Sequence, residues 1–69
     1  MNEDALNMQI RKFLKKTGIM SQRSIEQAVR DGLEDGKIKI GDSFEATISL
    51  SIRELGLDVD IVDTIKIEA

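Results

Sequence analysis

The stretch KKTGIMSQRSI, Lys15–Ile25, decides the architecture. Its lysines suit the negative end of a helix dipole, and Gly18 suits a left-handed helix stop. Ser21 then reads as the N-cap of a second helix, with Met20 and Ile25 placed for a hydrophobic staple. The stretch is therefore expected to join two helices. Ser24 with Gln27 forms a competing capping box, so the second helix has two candidate starts about one turn apart.

Upstream of this joint, a helix is expected from about Asn2 to Thr17. Leu6, Ile10, Phe13 and Leu14 recur at the spacing of one helical face. Asn2 can cap it, and Glu3 and Asp4 suit the positive end of its dipole. Met8 lies off that stripe. Downstream, a second helix is expected from about Gln22 to Asp35, with Ile25, Ala28, Val29 and Leu33 as its stripe and Gly36 as its stop. Gly32 beside the stripe allows another element to approach closely. The short link between them implies an antiparallel or steeply crossed pair.

Beyond residue 40 the hydrophobic period falls from 3.6 to 2. Phe44, Ala46, Ile48, Leu50 and Ile52 alternate with Glu45, Thr47, Ser49, Ser51 and Arg53, which is a half-buried strand. Glu54–Gly56 reads as a turn. Leu57, Val59 and Ile61 alternate again, as do Ile65 and Ile67. Asp63 stands where an inward residue is due, which implies either a bulge near Val62 or a turn that splits the run. Ile38 and Ile40 are candidates for a further short strand. The expected fold is α+β: two N-terminal helices packed on a small antiparallel hairpin or three-strand meander, as one domain over residues 1–69.

The chain has 69 residues, with 41% apolar and 33% charged, a globular composition. A chain this short buries only about 60% of the surface its unfolded form exposes, so its core is thin. Residues 1–40 carry a net charge of +2 and residues 41–69 a net of −5. No apolar run reaches the roughly 20 residues of a membrane span, and MNEDALN lacks the basic start of a signal peptide. A cytoplasmic protein is expected, with no membrane partner.

The chain contains no His, Cys, Tyr or Trp, which removes the commonest acid–base and nucleophilic groups. No nucleophile elbow and no phosphate-binding glycine loop occurs. No enzymatic activity, no cofactor and no metal are expected. The run DVDIVD clusters Asp58, Asp60 and Asp63, but it fails the register of a calcium loop at Val62.

Two binding classes remain. Met20 to Ile40 runs from helix into strand as the recognition helix and wing of a winged-helix protein do. In that reading Arg11, Lys12, Lys15, Lys16, Arg23, Gln27 and Arg30 contact nucleic acid. Arg11 and Lys15 lie on one flank of the stripe, Lys12 and Lys16 on the other. Against it, Asp31, Glu34 and Asp35 follow on the same helix, the wing segment is acidic, and a helix-turn-helix has a third helix. The favoured class is a non-enzymatic interaction module that binds an unidentified protein or itself. Its candidate surfaces are the uncharged strand face of Thr47, Ser49 and Ser51, a free sheet edge, or the basic flank of the first helix meeting an acidic partner.

MNEDALNMQIRKFLKKTGI at 1–19 and SQRSIEQAVRDGLEDGKIK at 21–39 resemble a family of short, mostly proteobacterial proteins classed as a domain of unknown function. The likeness continues more loosely through ATISLSI and the final IKIE. It implies a free-standing small protein, and it carries no activity, ligand or catalytic residue with it.

Overall fold

The computed structural model describes residues Met1–Ala69. They form two compact units, Met1–Lys37 and Ile38–Ala69. The first is one continuous helix, α1, over Glu3–Asp35. The second is an antiparallel hairpin of β1, Ser43–Ile52, and β2, Leu57–Lys66, joined through a 3₁₀ turn at Arg53–Leu55. The fold is α+β, with one helix in place of the two expected and, of the two sheets expected, the hairpin and not the three-strand meander.

The ends of α1 follow the sequence signals. The Asn2 side chain accepts a hydrogen bond from the Ala5 N–H at 3.0 Å, and Leu6 N–H donates to the Asn2 carbonyl. Gly36 closes the helix in the left-handed conformation, φ 82°. Between them α1 is 33 residues, about 50 Å long.

The expected joint at Gly18 and Ser21 does not form. The glycines with positive φ are Gly36, Gly41 and Gly56, so Gly18 is held in the helical region and not as a stop. A lone glycine inside a helix costs only about 1 kcal/mol relative to Ala, and no proline breaks the backbone ladder. Once the ladder continues, the cap at Ser21 has no orphan N–H to serve. Side chains follow the helix through this region. The Thr17 hydroxyl donates to the Phe13 carbonyl at 2.8 Å, and the Gln22 amide donates to Glu26 at 2.8 Å.

Ile38 and Ile40 form no strand. Lys39–Asp42 is a turn instead, with Asp42 N–H donating to the Lys39 carbonyl at 3.0 Å and the Asp42 carboxylate accepting from Lys39 N–H at 3.0 Å. Gly41 takes φ 98° there, a conformation open to glycine. The ladder then starts at once: Ile67 N–H donates to the Asp42 carbonyl at 2.8 Å, and Gly41 N–H to the Ile67 carbonyl at 2.7 Å.

β1 and β2 pair without interruption from Ser43↔Lys66 to Ile52↔Leu57. There is neither a bulge near Val62 nor a split. Asp63 keeps the period of 2 and lies on the apolar face opposite Ala46, a small neighbour that leaves its carboxylate exposed. Its Oδ1 accepts from the Thr64 N–H at 2.8 Å. Gly56, φ 63°, completes the turn, its N–H donating to the Arg53 carbonyl.

Candidate interaction surfaces

The hairpin has two faces of opposite character. One carries Phe44–Ile65, Ala46–Asp63, Ile48–Ile61, Leu50–Val59 and Ile52–Leu57, so nine of its ten side chains are apolar. The other carries Ser43–Lys66, Glu45–Thr64, Thr47–Val62, Ser49–Asp60 and Ser51–Asp58. Thr47, Ser49 and Ser51 thus share one exposed face, as expected from their alternation. That face is not uncharged. The antiparallel register lays Asp58 and Asp60 beside the serines, and the Ser49 hydroxyl donates to Asp60 at 2.8 Å. This charge was visible in the sequence of β2 but not its placement, because only the register says which residues become neighbours. The same register sends Asp63 to the opposite face, so the three carboxylates of DVDIVD do not converge.

On α1, the large apolar side chains of Leu6, Met8, Ile10, Phe13, Leu14, Ile19, Met20 and Leu33 are exposed. Leu6, Ile10, Phe13 and Leu14 are between 40% and 55% exposed. Further along, Thr17, Ser21, Ile25 and Val29 are half-buried and Gly32 is buried. The chain as a whole buries a single large apolar side chain, Ile67.

The basic residues fall into place differently on one helix than on two. Lys12, Lys16, Arg23, Gln27 and Arg30 are spaced so that they share one line along α1, and the line spans about 27 Å. Arg11 and Lys15 lie on the other flank. Arg30 pairs with Glu26 at 3.6 Å, and Gln27 donates to Asp31 at 3.0 Å. Both contacts are exposed i, i+4 pairs of small energetic weight. The acidic C-terminal turn meets its nearest cation just past the helix, where Lys37 lies 3.9 Å from Asp35.

No helix is long and apolar enough to cross a membrane.

No curated protein matches the chain, and no solved structure matches it. One family model does, over residues 1–68, and by that match the chain belongs to the family of unknown function DUF6494.

Proposed function

We propose that this protein is a small, non-enzymatic, cytoplasmic interaction module that works by associating with itself. One observation carries the reading: each unit leaves large apolar side chains exposed, Leu6, Ile10, Phe13 and Leu14 on the helix and Ile48, Ile52, Val59 and Ile61 on the hairpin. A helix from Glu3 to Asp35 cannot bury a stripe against itself, and an isolated two-stranded hairpin is marginally stable at best. Exposed side chains of the size of Ile10, Phe13, Ile48 and Ile61 are what a second copy would cover. The lack of His and Cys supports a binding role over a catalytic one. Sedimentation equilibrium from micromolar to millimolar protein is the test. A dimer or larger closed species is expected throughout the upper range. A strict monomer at the highest concentration would overturn the reading.

The continuous helix also favours a second reading, nucleic-acid binding along the line of Lys12, Lys16, Arg23 and Arg30. Three or four phosphate contacts would give a plot of log affinity against log salt with a slope of about −3. Titration with random-sequence duplex DNA at low salt measures it. A slope near zero, or no binding, removes this alternative.

A further inference from the structure

We infer that the self-association proposed above, on which this step rests, pairs the N-terminal halves of two α1 helices antiparallel about a two-fold axis near Ile10. Three features of residues 3–16 point there.

The first is charge order. Glu3 and Asp4 open the segment, while Arg11, Lys12, Lys15 and Lys16 close it, with no charge between. A parallel pair would set acid against acid and base against base. An antiparallel pair centred near Ile10 sets Glu3 and Asp4 of each copy beside Lys15 and Lys16 of the other, at both ends at once. Asp4 and Lys15 also lie on the same flank of the apolar stripe, and same flanks meet in an antiparallel pair.

The second is the stripe itself. The same centre brings Leu6 opposite Phe13 and Leu14 of the second copy and Ile10 opposite its own symmetry mate, so the large side chains interleave with no polar residue between them.

The third is availability. Leu6, Ile10, Phe13 and Leu14 are all exposed, whereas further along the same face Thr17, Ser21, Ile25 and Val29 are half-buried and Gly32 is buried.

The chain has no cysteine, so single introduced cysteines report geometry without interference. Ile10→Cys is expected to form a disulfide with itself under mild oxidation. Leu6→Cys is expected not to, because its two copies would be separated by about 12 Å along the axis. Leu6→Cys mixed with Leu14→Cys is expected to cross-link. A charge series provides a second route should a cysteine disturb folding. Glu3→Lys/Asp4→Lys and Lys15→Glu/Lys16→Glu should each weaken self-association roughly ten-fold at low salt. Mixing the two variants, or combining all four changes in one chain, should restore it. Added salt should weaken the wild-type complex. If the wild type associates but Leu6→Cys cross-links to itself and added salt strengthens the complex, the pairing is parallel and this inference fails alone. If it associates and neither cysteines nor charge changes have any effect, the interface lies elsewhere. If the wild type does not associate, the underlying functional reading fails with it.

Discussion

Gly18→Ala is expected to stabilise the protein by about 1 kcal/mol, and Gly18→Pro to destabilise it by about 3 kcal/mol or more. The two results together report the conformation of one residue. Gly18 sits inside α1 with non-positive φ, and a Cβ added there meets nothing within 4 Å. Alanine therefore gains helix propensity, because it lowers the conformational entropy of the unfolded chain and less is lost on folding. Proline removes the N–H directed at the Leu14 carbonyl and drives its ring against that carbonyl. It would leave segments of about 15 residues on each side, lengths at which an isolated helix is marginal in water. Urea unfolding followed by far-ultraviolet circular dichroism measures both. Had Gly18 been a left-handed stop between two helices, the alanine variant would lose stability. The sign of that one change separates one helix from two.

Stability is also expected to depend steeply on protein concentration. A chain whose only buried large apolar side chain is Ile67 draws little stability from its own core. If a second copy supplies the rest, unfolding and dissociation are one equilibrium, and a hundred-fold dilution removes about 2.7 kcal/mol from the folded pair. For a pair of chains this size, that lowers the melting midpoint by roughly 9 °C. Thermal melts at several concentrations read the shift directly. A midpoint independent of concentration would mean that the monomer is stable alone, and would contradict self-association as the source of stability.

The strands were legible because alternation is a local signal. Phe44 to Ile52 and Leu57 to Ile67 each show their inward set without reference to anything distant. The capping residues Asn2 and Gly36 and the turn at Glu54–Gly56 were legible for the same reason. Gly18 and Ser21 misled because they carry stop and start chemistry that a helix is free to ignore when nothing forces the break. A counter-signal existed: Thr17 and Ser21 continue the four-residue spacing from Phe13 to Ile25, so the stripe runs through the supposed joint with small residues in place of large ones. Asp63 was located correctly as an oddity, but the strand absorbed it on the apolar face, because keeping the ladder intact outweighs placing one exposed carboxylate ideally. The alignment of Lys12, Lys16, Arg23, Gln27 and Arg30 could not be read while the helix was divided, since a break of unknown angle erases the relation between residues on either side.

Asp63 also bears on how far assembly can go. In a sheet of two strands, both strands are edges, and a flat apolar face lies between them. Those are the ingredients of a filament that adds hairpins without end. Stacking such faces symmetrically would trap a carboxylate from every copy in a dry seam, at a cost of several kcal/mol for each unpaired ion. One misplaced acid in an otherwise apolar array thus acts as a brake on growth. In the self-association proposed above, it is expected to favour small, finite complexes over an open-ended stack.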